Sequence, residues 1–227
     1  LSSIPYDTPP SIGHQFIALV PEIAAAILLT LKAGWVRALS SPDVHANAEE
    51  IPITERLRDG MRAALREEPD LRRRRMIIAP GTESRSRPHL IRPDGRTDIP
   101  VYVIKLSVRL GDHDPHAIIE CKRVSGDDAH LCREYVVEGI DRFRTGKYGV
   151  NHAVGFMVGY LLSGEALRVV ARINAFLCRN KRQMEQLTRS DLMPLHPEIW
   201  RSSHSRDVPH PPIELHHVFL TIIDSAS

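Results

Sequence analysis

Apolar residues crowd residues 16–31, and the Ala/Leu/Ile-rich pattern over residues 14–39 predicts one helix or two, with Pro21 near a first turn or a break. Ser40-Ser41-Pro42-Asp43 reads as a turn. Apolar positions at Ile53, Leu57, Met61, Ala64 and Leu65 keep helical spacing, which predicts an amphipathic helix with Leu57, Met61 and Leu65 facing inward. The run Arg72 to Arg75 ends that region, and Met76-Ile77-Ile78-Ala79 reads as a short buried strand. After a Ser-, Arg- and Pro-rich loop over 80–96, two β-type runs, 99–110 and 116–121, flank Gly111-Asp112-His113-Asp114-Pro115 and predict an antiparallel hairpin. Residues 128–146 turn helical, with Leu131, Tyr135, Ile140 and Phe143 apolar and Gly146 where a helix would end. Residues 150–162 suit a central strand buried on both faces, 165–187 a helix, and 213–223 a last strand after a Pro- and His-rich loop. The order is helix, three strands, helix, strand, helix, strand, without internal repeat: an α/β chain with a mixed sheet flanked by helices.

At 227 residues the chain is long enough for one sizeable α/β core, and the simplest division is an N-terminal arm and helical extension over 1–48 followed by a core over 49–227. Net charge is only +2, so bulk charge announces no nucleic-acid binder, although most basic residues are arginines that cluster. Three cysteines, Cys121, Cys132 and Cys178, lack the spacing of a disulfide framework or a structural zinc site, which predicts a reducing cytoplasm. The 16–31 run carries Pro21 and Glu22 and falls short of a membrane span, and it lacks the features of a signal peptide, so it predicts a buried helix. No Walker motif and no His-Glu-x-x-His spacing occurs.

The chemistry concentrates in Gly95-Arg96-Thr97-Asp98-Ile99-Pro100 and Ile118-Ile119-Glu120-Cys121-Lys122-Arg123. Alternation along a strand puts Glu120 and Lys122 on one face and Cys121 on the other. Two carboxylates and an ammonium converging on a sheet edge suit metal-assisted attack on a phosphodiester: the carboxylates hold the cation and the lysine steers or deprotonates a water. A structural reading competes at each position, because an Asp after Gly-Arg-Thr is a normal turn residue and Glu120 with Lys122 makes an ordinary ion pair. Ala117, Ile118 and Ile119 read as buried, and a buried carboxylate wants a partner or a metal. Cys121 reads as a small buried hydrophobe, since neither His113 nor His116 is obviously paired with it.

The order of elements, with Asp98 entering the hairpin and Glu120-x-Lys122 closing it, resembles the core of the PD-(D/E)XK nuclease superfamily over residues 49–223. The resemblance implies a restriction-endonuclease-like αβββαβ core and an Mg²⁺- or Mn²⁺-dependent endonuclease. It implies Asp98 and Glu120 as metal-binding carboxylates, the Cys121 backbone carbonyl as a further ligand, and Lys122 as the catalytic lysine. Members often add an acid from the first core helix; Glu50 is the candidate, with Glu49 and Glu55 close enough to compete. Thr97 stands where the family usually has Pro. Bacterial relatives often serve restriction or antiphage defence beside other chains, which implies DNA as substrate, with RNA open, and a homodimer or a larger assembly without membrane attachment.

Other residues would serve nucleic-acid contact: Arg123 just past the strand, Arg142, Arg144, Lys147 and Tyr148 near a helix C-terminus, and His204 and Arg206 in Ser203-His204-Ser205-Arg206. Glu138 and Arg142 are spaced as a surface ion pair, and Glu83 is a further acid that could reach the site. The competing function is a non-catalytic nucleic-acid-binding or structural subunit of a larger complex; retention of Asp98, Glu120 and Lys122 together speaks for the enzyme.

Overall fold

The computed structural model describes residues 17–84, 95–110, 114–206 and 211–223. Pro21 opens the first helix, where a residue without an amide proton leaves nothing unsatisfied. α1 runs Pro21–Ala38, α2 Glu50–Glu67, and α3 is the single turn Pro69–Arg72. β1 (Met76–Ile78), β2 (Glu83–Ser84), β3 (Gly95–Arg96), β4 (Ile99–Val103) and α4 (Ile104–Leu110) follow. β5 (Ala117–Val124) leads into α5 (Ala129–Tyr135), a π-helical turn (Val136–Ile140) and α6 (Asp141–Arg144). β6 (Val154–Leu161), α7 (Ala166–Arg179), β7 (Thr188–Arg189), β8 (Ile199–His204) and β9 (Ile213–Thr221) complete the chain. The expected arm 1–13, loop residues 85–94 and residues 111–113 of the hairpin turn, His113 included, lie outside the described residues.

Seven strands form one mixed sheet in the order β1-β4-β5-β6-β9-β8-β7, and β2 pairs with β3 in a separate ribbon. β5, β6 and β9 run parallel at its centre, and every pair outside them is antiparallel, including the expected β4–β5 pair. Helices cover both faces. Ala117, Ile119 and Cys121 of β5 join Phe156, Val158 and Tyr160 of β6 under α1 and α2. Ile118 and Val124 join Met157 and Leu161 under α5, α6 and α7. Leu57 and Met61 are buried as expected, Leu65 only partly.

α1 belongs to the first of these layers. Trp35 stacks on Tyr160 with ring centroids 5.7 Å apart and bonds the Thr221 carbonyl at 3.2 Å. α1 and α2 approach so closely at Gly34 and Gly60 that a Cβ on Gly60 would lie 2.2 Å from the Gly34 carbonyl oxygen. The 16–31 run thus contributes to a buried helix, and among the described residues no helix is long and apolar enough to cross a membrane.

Three expectations need correction. The 99–110 run stops as a strand at Val103, because β5 pairs only with Ile99, Pro100 and Val101, and β1 ends its pairing at Val103. Without partner strands the backbone from Ile104 must satisfy itself locally, which a helix does; the Val103 N–H is taken by His116 Nδ1 at 2.9 Å. The 165–187 helix ends at Arg179, closed by Lys181 in the left-handed region (φ 60°) and by the Arg182 N–H on the Leu177 carbonyl at 2.9 Å. Part of what reads as a Pro- and His-rich loop before the last strand is β8, whose buried side chains include Ser202 and His204. Buried polar residues conceal its alternation.

Candidate active site

β5 outruns β4. The ladder between them ends at Ile99 and Ile119, so the β4-facing amides of Cys121 and Arg123 have no strand to bond. Carboxylates take their place. Asp98 Oδ2 accepts from the Cys121 N–H at 2.7 Å, and Glu50 Oε2 accepts from the Arg123 N–H at 3.2 Å. Asp98 is held at the mouth of β4 by its neighbour Thr97, whose hydroxyl accepts from the Thr82 N–H at 3.1 Å. Glu50 is the first residue of α2, which fixes its approach to β5.

Lys122 ties these groups together. Its Nζ donates to Glu50 Oε1 at 2.7 Å, to the Cys121 carbonyl at 2.9 Å, and lies 3.0 Å from Glu120 Oε1. Three acceptors use all three ammonium protons. Burial pulls the lysine towards neutrality, but Glu120, Glu50 and Asp98 together outweigh it and hold the pKa above its ordinary value. Lys122 is therefore a fixed cation, which suits steering and charge stabilisation and does not suit the deprotonating role.

Glu120 has no solvent exposure. Its Oε1 also accepts from Arg142 Nη1 at 2.9 Å, while Oε2 is buried and, among the described residues, has no hydrogen-bond donor. Burial, reinforced by the charge of Asp98, pushes its pKa up to about 8, against Lys122 and Arg142. Asp98 is also raised, mainly by burial. Three carboxyl groups (Asp98, Glu120, Glu50) crowd two cations (Lys122, Arg142), with Arg58 also in the field of Asp98, and the raised pKa of Glu120 is the response to that crowding.

That crowding and the donor-less Oε2 are the observations that fit a divalent cation, which would take the place of the Glu120 proton. The available donors are oxygens, as a hard cation prefers: the Asp98 and Glu120 carboxylates and the Cys121 carbonyl, which Lys122 already shares. Mg²⁺ commonly takes one or two carboxylates from protein and completes its shell with water and phosphate. In keeping with so small a set, among the described residues no group of three or more His, Cys, Asp or Glu side chains could by itself hold a metal ion. The Cys121 thiol lies on the opposite face, fully buried, with its pKa driven well up by desolvation, so it is chemically quiet.

The residues expected to touch nucleic acid divide. Arg142 turns inward: besides Glu120 it donates to the Tyr148 hydroxyl at 2.7 Å, and Tyr148 donates to the Arg96 carbonyl at 2.6 Å. The expected Glu138–Arg142 pair is present at 3.5 Å, but it is the outer edge of this buried contact. Arg123 packs beside α2, with Nη1 3.4 Å from the Ala48 carbonyl and Nη2 3.6 Å from Glu49. Glu55 pairs with Arg58, so of the three competing acids only Glu50 reaches Lys122. Lys147 is half-buried next to Gly95, and Glu83 is exposed on the β2–β3 ribbon opposite Arg96.

His204 and Arg206 are corrections. Arg206 is buried and spends its guanidinium on the carbonyls of Pro211, Gly149 and His152, at 2.5, 2.8 and 2.6 Å. His204 belongs to a buried chain of hydrogen bonds from Tyr135 through His217 (2.9 Å), Ser202 (2.7 Å) and His204 (2.6 Å) to Glu185 (2.6 Å). Desolvation opposes Glu185 ionisation, but His204 and Arg182 hold its pKa near about 2, so it is an acceptor only. With Glu185 an acceptor, His204 Nδ1 donates to it, and the Ser202 hydroxyl bridges the Nε2 atoms of His204 and His217. Neither residue presents a face to a phosphate.

Two parts of the site carry no sequence signal. One is the Arg142–Glu120 pair, spaced 22 residues apart. The other is the π turn, where Gly139 lets the helix sit so low that a Cβ would lie 2.5 Å from Met157 and 3.4 Å from Lys122. Compared with protein-family models, curated proteins and solved structures, the chain matches none of them.

Proposed function

We propose that this chain is an Mg²⁺- or Mn²⁺-dependent phosphodiester hydrolase acting on DNA, built on a restriction-endonuclease-like core over α2, β1, β4, β5, the α5–α6 segment and β6. The observation that carries the reading is Glu120: a fully buried carboxyl with one oxygen on two cations and the other, among the described residues, without a hydrogen-bond donor. A purely structural ion pair would satisfy both oxygens or lie in solvent.

Asp98 and Glu120 would hold the cation, which when bound supplies Lewis acidity and an acidified water. The chain's own groups do the rest. Lys122, locked in its charged form by Glu50 and the Cys121 carbonyl, presents a fixed cation to the charge that develops on a phosphate. Glu50 is a positioning residue: it orients Lys122 and closes the exposed edge of β5. Arg142, braced by Tyr148, holds the Glu120 side chain in one rotamer.

The internal pairing of Glu120 favours one other reading, a nucleic-acid-binding subunit that does not cut. Cleavage of supercoiled plasmid, linear duplex, single-stranded DNA and RNA with Mg²⁺ or Mn²⁺ separates the two. The enzyme reading expects cutting that EDTA and Lys122→Ala both abolish while the variant stays folded. Binding without cutting by the wild type under every condition would replace it with the subunit reading.

A further inference from the structure

Positive charge gathers along the segment from α2 to β1, and its exposed part lies away from this site. Residues 56–75 carry eight arginines against four carboxylates, a net +4 in a chain whose total is +2. Arg72, Arg73, Arg74 and Arg75 are exposed in succession where α3 passes into β1, and Arg66 is exposed on the last turns of α2. The neighbouring acids are partly spoken for: Glu67 and Glu68 hold Arg37 at 3.0 Å, and Asp59 lies 3.2 Å from Arg62. Among the described residues, Arg66, Arg72, Arg74 and Arg75 have no carboxylate within ion-pairing distance.

These arginines border a groove of about 380 Å³, floored by Leu65, Met76 and Ile78 and rimmed by Arg62, Arg66 and Arg72. The backbone turns sharply to reach it: Arg75 sits in the left-handed region at φ 51°, a conformation unfavourable for a residue with a Cβ. Tertiary bonds hold it there, because the Arg75 carbonyl accepts from the Ile104 N–H at 3.0 Å. Arg62 Nε donates to the Ile78 carbonyl at 2.9 Å, which fixes the rim to the outer edge of β1.

The topology sets the spacing from the site. Asp98 stands at the start of β4, whereas Arg75 faces Ile104 just past its end. Six residues at strand rise separate them by about 20 Å, the length of about six base pairs of duplex. Guanidinium forks without carboxylate partners, of which Arg72 also donates to the Arg66 carbonyl, suit a phosphodiester backbone better than isolated lysines would when set beside apolar surface.

We propose that this arginine face binds the DNA backbone about six base pairs from the bond presented to the Asp98–Glu120–Lys122 site. The inference rests on the phosphodiesterase reading for the identity of the polyanion, and the test keeps the two apart. Fluorescence anisotropy in EDTA would follow a labelled duplex of about thirty base pairs as salt is raised from about 50 to about 200 mM. The variant is Arg66→Gln/Arg72→Gln/Arg74→Gln, with Lys at the same three positions as the charge-retaining control. The expected result is at least a tenfold loss of affinity and a salt slope shallower by about two to three, near 0.9 for each lost phosphate contact. The Lys control should keep most of the slope. Unchanged affinity and slope in the triple variant would overturn the proposal whether or not the wild type cuts DNA. So would loss of binding to phosphatidylserine vesicles with duplex binding intact, since that would make the face a membrane contact. A wild type that binds duplex through these arginines but never cleaves it would leave the arginine face standing and sink the nuclease reading.

Discussion

Gly60 offers a test in which helix propensity and packing pull in opposite directions. It lies in the middle of α2, where glycine is about 1 kcal/mol worse than alanine, so replacement on an isolated helix would stabilise the protein by that amount. The structure demands the opposite. A Cβ at Gly60 would lie 2.2 Å from the Gly34 carbonyl oxygen and 3.0 Å from its carbon, and both atoms are backbone that cannot rotate away. Relief requires α1 and α2 to separate by about 1 Å, enough to forfeit much of the dispersion between them. The residues that would loosen, Ile27, Leu31, Ile53, Leu57 and Met61, are all fully buried. Overpacking of this kind costs about 1–3 kcal/mol, which offsets or exceeds the propensity gain and leaves Gly60→Ala about 0–2 kcal/mol less stable. Gly34→Ala meets Met61 N at 2.6 Å and should behave alike, and the double variant should cost less than the sum because one separation relieves both clashes. Urea midpoints measure all three. A Gly60→Ala protein more stable than wild type by the about 1 kcal/mol of the propensity gain would refute the close approach, and with it the packing that aims Glu50 at Lys122.

The pH dependence of stability should come from both sides. Burial holds His152 and His216 near pKa 4, so the stability they contribute is fully present above pH 6.5 and is lost as the pH falls towards 4, about 3 kcal/mol for each. Glu120 works the other way: raised to about 8, its contribution is complete below pH 4.5 and lost as the pH rises, about 2 kcal/mol of it between 6.5 and 8. Urea denaturation of Glu120→Gln should therefore show no loss over that upper interval, and curves parallel to wild type would refute the assignment. Asp98→Ala leaves the Cys121 amide without its acceptor and should lose about 1–3 kcal/mol, whereas Asp98→Asn keeps an acceptor; thermal melts of the pair separate the structural from the chemical role. Gly139→Ala drives a methyl into Met157 and against Lys122, so under the proposed function it should reduce the cleavage rate, at matched folded fraction, more than Ala substitution at an exposed helix position.

Much of the frame was legible because the signals were local. The 3.6 period placed α2, the apolar runs placed β5, β6 and β9, and alternation put Glu120 and Lys122 on one face. The rest depended on partners distant in the chain. Residues 104–110 alternate as a strand would, yet they are helical because no strand flanks them. β8 hides its alternation because Ser202 and His204 are buried polar residues paired with one another, and no local pattern announces that satisfaction. Arg142 reads as a surface cation three to four residues from Glu138; only the π turn and the packing over β6 bring it to Glu120. Arg206 carried a positive charge in the sequence, but its position beneath three carbonyls makes it a clamp between the last strands and the α6–β6 connection.

The site itself is a consequence of mismatched strand lengths. Had β4 continued alongside β5 to Arg123, its backbone would have taken the two amides that Asp98 and Glu50 now occupy, and neither carboxylate would have cause to approach Lys122. A strand edge left open in the interior is costly unless polar groups close it, and closing it with carboxylates concentrates negative charge beside the one lysine and one arginine that reach the same point. The structural and chemical readings of these residues are thus not alternatives. The same hydrogen bonds that complete the sheet hold the acids crowded together in a buried cluster, and that crowding is what the proposed metal chemistry at the open end of β5 would use.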